Sequence, residues 1–212
     1  RGLGDVYKRQ DLHSYVGSIA FNVPIDEVTP ELRRRTKAMS YGLAYGLSPF
    51  GLARQLNIPI ADAKDFMNNY FARFGGVRDY LHDVVEEARK TGYTETMFGR
   101  RRYLPELTSS NRVARENAER AALNAPIQGT AADIIKIAML RVDDALRRGG
   151  LRSRVLLQVH DELVVEVADG EEAAIKELLH REMDSAAELL VPLDVSIGAG
   201  VNWDAAAVSY TH

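Results

Sequence analysis

Arg33, Lys37 and Tyr41 follow one another at steps of four residues, with Tyr45 one step further. In a helix that spacing keeps the first three within one broad face, so a guanidinium, an ammonium and an aromatic ring are presented along one stripe. Such a stripe suits a nucleoside triphosphate, because the cations meet the phosphates while the ring supports the sugar or base. A solvated basic turn followed by core tyrosines has the same spacing. His160-Asp161-Glu162 lies between two runs rich in valine and leucine. A carboxylate at a tight turn between two buried strands is rigidly held and exposed at its end, which suits a hard cation such as magnesium. Adjacent strand residues point to opposite faces, so Asp161 and Glu162 are not expected to be equivalent ligands; Asp161 is the expected one and Glu162 peripheral. A plain turn also favours aspartate. A metal-dependent phosphohydrolase would need further histidines, and His13, His82, His180 and His212 show no ligand spacing. Arg120, Asn124 and Gln128 again recur at steps of four, able to reach phosphates, sugars or base edges along a groove, or to form a helix-end hydrogen-bond network. Arg100, Arg101 and Arg102, with Arg112, Arg115 and Arg120, make a local basic excess that suits a phosphate backbone or a solvated surface.

The elements that must carry these residues are marked by strong punctuation. Thr29-Pro30 predicts an N-cap and first helical residue for a helix over 31–45, closed by Gly46. Ser48-Pro49 repeats the signal for a short helix to about residue 56, and Pro59 marks the next break. Apolar residues at helical spacing (Phe66, Tyr70, Phe74; Leu81, Val84, Val85, Ala88) predict helices over 61–74 and 77–90, parted by Gly75-Gly76 and ended by Gly92. Short β-prone runs at 93–97 and 102–104 around Phe98-Gly99 predict a hairpin. Two helices are expected at 111–124 and 128–148, separated by Pro126 and closed by Gly149-Gly150. A second hairpin, 154–159 with 163–167, a helix over 171–190 and a final strand at 193–197 complete the pattern. The fold class is therefore α+β: an all-helical lobe, then a lobe with a small antiparallel sheet and packed helices, with a boundary near Val113.

The 212 residues are 46% hydrophobic and 27% charged with a formal net charge of -3, enough for a real core and no general signal for polyanions. Nucleic-acid contacts must come from local clusters. The absence of cysteine excludes disulfides, thiolate metal sites and a cysteine nucleophile, and fits a reducing compartment; the cytoplasm is the expected location. No run approaches the roughly 18 apolar residues of a membrane span, and no signal-peptide pattern is present.

Three segments in order, RRRTKAMSYGLAYG, ERAALNAPIQGTAAD and QVHDELVVEV, closely resemble the nucleotide-binding helix, the following palm helix and the metal-carboxylate hairpin of family A DNA polymerases, the bacterial DNA polymerase I type. The resemblance continues through YFARFGGVRDYL, GRRRYLPEL and VNWD, covers about residues 11–206, and has an actinobacterial wording. It implies a helical fingers domain over 11–113 and the C-terminal part of a palm over 114–206. Residues 1–10 and 207–212, RGLGDVYKRQ and the stretch ending VSYTH, resemble non-native cloning or adaptor scars. The implied function is DNA-directed DNA polymerase, acting in replication and repair on primer-template DNA and deoxynucleoside triphosphates, as a monomer without membrane contact. His13, Arg33 and Lys37 would hold the incoming triphosphate and Tyr41 would pack on its sugar. Tyr45 would sit by the template base, and Arg120, Asn124, Gln128, Gln158 and His160 would line the primer-template minor groove. Asp161, Glu162 and Lys37 are the implied catalytic residues, with Asp161 ligating magnesium. The tyrosine form of the Tyr41 position implies tolerance of nucleotides lacking the 3′-hydroxyl. The family uses two magnesium ions about 4 Å apart, bridged by this aspartate and one in an earlier motif of the form DYSQIELR, which is absent here. It is expected just upstream of Asp11, so the chain alone is expected to be a truncated, inactive part lacking also the thumb and any exonuclease. The alternative is a non-catalytic nucleic-acid-binding module derived from a polymerase.

Overall fold

The computed structural model describes residues 12–21 and 23–206. Asp11 and the two terminal stretches expected to be scars lie outside the described residues. The chain divides into two compact units that part at Pro126.

The first unit opens with α1 (Leu12–Phe21), α2 (Pro30–Ala44), α3 (Pro49–Leu56) and α4 (Ile60–Arg73). The predicted start signals are used as such. Thr29 Oγ1 accepts the Leu32 N–H at 3.2 Å and Ser48 Oγ accepts the Gly51 N–H at 3.1 Å, each with proline at the first helical position. Val16 and Ala20 of α1, Met39 and Leu43 of α2, Leu52 and Leu56 of α3 and Tyr70 of α4 bury their apolar faces in one core. Next come α5 (Gly75–Thr91), β1 (Tyr93–Glu95) and β2 (Arg101–Tyr103). Gly92, at φ +83, ends α5 in a left-handed cap that side chains other than glycine rarely adopt. Strands β1 and β2 pair antiparallel with Tyr93 opposite Tyr103. A second core joins Ala88 of α5 and Leu104 and Leu107 after β2 to Ala118 and Ala122 of α6 (Arg112–Arg148).

Helix α6 corrects the expected break at Pro126, since one helix replaces the two expected. Proline removes one hydrogen bond and crowds the preceding turn, at a cost of about 3 kcal/mol in a helix interior. That cost is borne because tertiary packing holds both sides: Ala118 and Ala122 before the proline, Val142, Ala145 and Leu146 after it. The units thus part inside a helix, at Pro126, whereas the expected boundary near Val113 lies at that helix's start.

In the second unit, β3 (Arg154–Val159) and β4 (Glu162–Glu166) pair antiparallel with an irregularity between Val155 and Leu157. Val142 and Leu146 of α6 pack on Ile175, Leu178 and Leu179 of α7 (Glu172–Asp184), with Leu163 and Val165 of β4 against them. Helix α7 is shorter than predicted. It stops where Ser185 Oγ bonds back to the Arg181 carbonyl at 2.7 Å, a local alternative to another helical turn. The final strand is not formed: residues 193–197 have no ladder partner, although half-buried and exposed positions still alternate and Ile197 packs on the core. Period-two patterning selects a face but does not supply a neighbouring strand. The expectation of two buried strands also fails, because Leu156 and Leu157 are 49% and 50% exposed on a sheet of two strands, which can cover only one side. A short α8 (Trp203–Ala206) ends the described chain.

Candidate nucleotide and nucleic-acid site

Helix α2 turns Thr36, Met39 and Leu43 inward, which leaves Arg33 half-buried, Lys37 exposed and Tyr41 51% exposed. Thr36 is fully buried, and its hydroxyl is satisfied by donating to the Leu32 carbonyl at 2.8 Å. Helix α1 comes close at this level. A Cβ on Gly17 would stand 2.8 Å from Thr36 Oγ1, so only glycine permits the approach. His13 lies one helical turn before Gly17, and its ring centroid is 6.1 Å from that of Tyr41 at an interplanar angle of 53°. Two residues 28 positions apart (41 less 13) are thereby brought to one surface. That surface carries a half-buried guanidinium, an exposed ammonium, an imidazole and a phenol, all able to donate to phosphate or sugar oxygens.

At the far end of α2, Tyr45 occupies the C-cap half-buried, followed by Gly46 at φ +73. A side chain at Gly46 would meet Leu123 Cδ1 at 2.7 Å, so this end of α2 sits against the first-unit part of α6 beside Asn124. The Asn124 Oδ1 is buried with no hydrogen-bond partner among the described residues, a costly state for an amide oxygen. One turn earlier, Arg120 is exposed and donates to Asn117 Oδ1 within α6. Arg112 pairs with Glu116 at 2.6 Å and Arg115 donates to the Ser109 carbonyl at 2.9 Å, which ties these two members of the basic excess to the fold.

In the second unit Gln128 is exposed on α6. The hairpin β3–β4 closes through a two-residue turn, His160-Asp161, between the paired Val159 and Glu162. His160 has φ +52, one of only two non-glycine residues at positive φ among the described residues. Such a conformation costs about 1–3 kcal/mol and tends to collect at functional sites. Gln158 Nε2 donates to the His160 carbonyl at 2.6 Å, which bridges the turn. Asp161 is exposed at the tip and Glu162 half-buried, an inequivalence in keeping with alternate strand faces. No group of three or more histidine, aspartate and glutamate side chains able to hold a metal occurs among the described residues. An exposed carboxylate at a hairpin tip is the kind of oxygen donor that magnesium takes, and the described residues do not complete a metal site.

Two features of the first unit near these residues were not anticipated from the sequence. Gly17 had a readable signal, four residues from His13 and so on the same face. Ser40, next to Tyr41, has a buried hydroxyl with no hydrogen-bond partner among the described residues, and nothing in its sequence context marks it.

The family model that matches the chain is DNA polymerase family A, over residues 3–205. DNA polymerase I of Mycobacterium leprae is 66% identical over 198 residues, covering 93% of this chain and 22% of the relative. DNA polymerase I of Caldicellulosiruptor bescii is 45% identical over 193 residues, covering 91% of this chain and 23% of that protein. The actinobacterial wording is matched by the mycobacterial relative. The solved POL domain of Pol1 from M. smegmatis, in complex with DNA primer-template and dNTP, is 68% identical with a TM-score of 0.90, covering 93% of this chain and 35% of that one. The chain spans between a fifth and a quarter of the length of these curated relatives. With the three motifs in order on the expected helices and hairpin, and a family match across nearly all its residues, the chain belongs to DNA polymerase family A.

Proposed function

We propose that this chain supplies the nucleotide-binding helix and one metal-ligating carboxylate of a DNA-directed DNA polymerase, which joins the α-phosphate of a deoxynucleoside triphosphate to a primer 3′-hydroxyl and releases pyrophosphate. The observation that carries the reading is the meeting of His13 with Tyr41 beside Arg33 and Lys37. On it, Arg33 grips phosphate oxygens by its planar fork, Lys37 sets a compact charge against the leaving pyrophosphate, and His13 donates to the triphosphate. Tyr41 packs on the sugar and Tyr45 abuts the template base. Arg120, Asn124, Gln128, Gln158 and His160 read the minor groove, where the unpaired Asn124 oxygen would accept from a base or a water. Asp161 is the metal ligand, Glu162 supports it, and magnesium, when bound, offsets phosphate charge. Helix closure would bring Arg33 and Lys37 onto the phosphates and exclude water.

Because the described residues do not complete a metal site, we propose that the 212-residue chain alone does not extend primers. The test is primer extension by the chain alone and by a chimera in which residues 12–206 replace the matching region of the M. leprae relative. Activity in the chimera only, abolished by Asp161→Ala, supports a polymerase whose metal site needs residues outside this chain. Activity in the chain alone overturns the incomplete-site argument. DNA binding without extension in either protein, while the M. leprae control is active, favours the second reading, a non-catalytic nucleic-acid-binding module, which the lack of a three-residue metal group among the described residues also fits.

A further inference from the structure

Helix α2 holds one polar group that the mechanism leaves unused. Ser40 follows Lys37 by three residues and Thr36 by four, and its Oγ is buried with no hydrogen-bond partner among the described residues. A serine or threonine on a helix commonly returns its hydroxyl to the carbonyl three or four residues back. Ser18, Thr36, Thr91 and Ser185 do so, donating to the carbonyls of Tyr15, Leu32, Glu87 and Arg181 at 2.8, 2.8, 2.9 and 2.7 Å. The Ser40 hydroxyl is not spent on its own helix in this way.

The packing of α1 on α2 fixes what stands opposite it. Gly17 lies against Thr36, where an added Cβ would be 2.8 Å from Oγ1, and His13 lies against Tyr41, with ring centroids 6.1 Å apart. Residue numbers fall along α1 as they rise along α2, so the two helices run antiparallel here. His13 is one turn from Gly17 and Ser40 one turn from Thr36, which sets Ser40 and His13 level across the helix pair. His13 Nδ1 is buried as well. That leaves Nε2, on the opposite edge of the ring, as the nitrogen able to reach a phosphate.

A neutral imidazole donates from one nitrogen only, and the hydrogen bond made at the other decides which one carries the proton. We infer that Ser40 is a positioning residue for the incoming nucleotide: when the triphosphate engages His13, the Ser40 hydroxyl donates to His13 Nδ1, which fixes the proton on Nε2 and aims that N–H at a phosphate oxygen. The inference rests on the proposed role of His13 as a triphosphate ligand and adds the group that sets its tautomer. A buried hydroxyl without a partner destabilises the free protein, and serine is a poorer helix former than alanine. Ser40 thus weakens the free protein and strengthens the nucleotide complex, opposite signs that a purely structural residue does not give.

The experiment uses the M. leprae chimera carrying residues 12–206, with magnesium and a dideoxy-terminated primer-template on which a nucleotide binds but no bond forms. Gel-shift titration gives the nucleotide Kd of the parent, Ser40→Ala, His13→Ala and the double variant. Ser40→Ala should weaken the nucleotide about fivefold, the worth of one hydrogen bond. In the His13→Ala background the same change should cost less than about 1.5-fold, because the two groups act as one. On an extendable primer, KM should rise about fivefold with kcat within about twofold of the parent. The melting temperature of the full 212-residue chain should be equal or higher with Ser40→Ala. Equal weakening in both backgrounds, no weakening at all, or a lowered melting temperature with kcat and Kd impaired together would overturn the assignment while the polymerase reading stands. A parent chimera that binds no nucleotide on the primer-template would sink the reading of His13 and this assignment with it.

Discussion

At the scale of single residues, two positions convert local chemistry into measurable differences. Tyr41 places a phenol where the proposed sugar lies, within 6.1 Å of the His13 ring. A hydroxyl there can supply a hydrogen bond that a nucleotide lacking its own 3′-hydroxyl cannot, whereas phenylalanine cannot. In the M. leprae chimera, Tyr41→Phe is expected to increase discrimination against dideoxynucleotides by about tenfold or more, equivalent to roughly 1.4 kcal/mol; competition assays giving equal discrimination for both forms would refute the assignment. His160 holds a conformation that glycine adopts without steric cost and other residues do not. His160→Gly should therefore be more stable than His160→Ala by about 1 kcal/mol, read from urea midpoints. The reverse order would remove the argument from backbone strain. Both replacements should impair primer extension in the chimera, since the strained turn orients Asp161.

The elements decide whether those residues meet. Gly17→Ala would gain up to about 1 kcal/mol of helix propensity. Against that, its methyl would stand 2.8 Å from a Thr36 hydroxyl that is fully buried and already bonded to Leu32, so it cannot swing away. Overpacking of this kind costs about 1–3 kcal/mol. The net expectation is destabilisation of about 1 kcal/mol or more, with weaker nucleotide binding because α1 would carry His13 away from Tyr41; nucleotide titration of the variant in the chimera checks it. In the second unit Glu171 knits the start of α7 to the approach to β3. Its carboxylate accepts the Arg152 N–H at 3.0 Å and both the N–H and hydroxyl of Ser153, at 3.0 and 2.6 Å. These donors, the Arg152 N–H and Ser153 hydroxyl foremost, hold its carboxyl below the usual glutamate range. A lowered folded pKa means the contribution is present above the unfolded glutamate value of about 4.3 and lost as pH falls through the lower folded value. Glu171→Gln should therefore flatten the loss of stability on acidification through that window, while lowering stability at neutral pH; urea unfolding of both proteins at pH 7 and pH 3 measures it. Most elements were legible in advance, since capping residues and helical periodicity are local. The break at Pro126 and the strand at 193–197 were misread because α6 is held through its proline by packing on both sides, and a strand needs a neighbour that no local pattern supplies.

For the whole molecule, a net charge of -3 means that the proposed affinity for DNA must come from a few local cations rather than from a general field. A protein neutralising 6–10 phosphates loses about 10³–10⁵ in affinity between roughly 50 and 200 mM salt. Since Arg112 and Arg115 are already engaged by Glu116 and Ser109, this chain should lose on the order of 10² over the same range; a loss beyond 10³ would show a wider basic footprint. No helix of the described residues is long and apolar enough to cross a membrane. The sequence by itself determined the family, the helical first lobe and the identity of the cationic and carboxylate residues, because motif spelling, caps and residue chemistry are carried within a few positions of one another. Only the tertiary structure decided that His13 meets Tyr41, that Asn124 buries an unpaired oxygen, that α6 runs through Pro126 and that β3 is left half uncovered. Each of these depends on which surfaces pack together over long sequence separations, where close approach and burial are settled by complementarity between distant segments rather than by the preferences of either one.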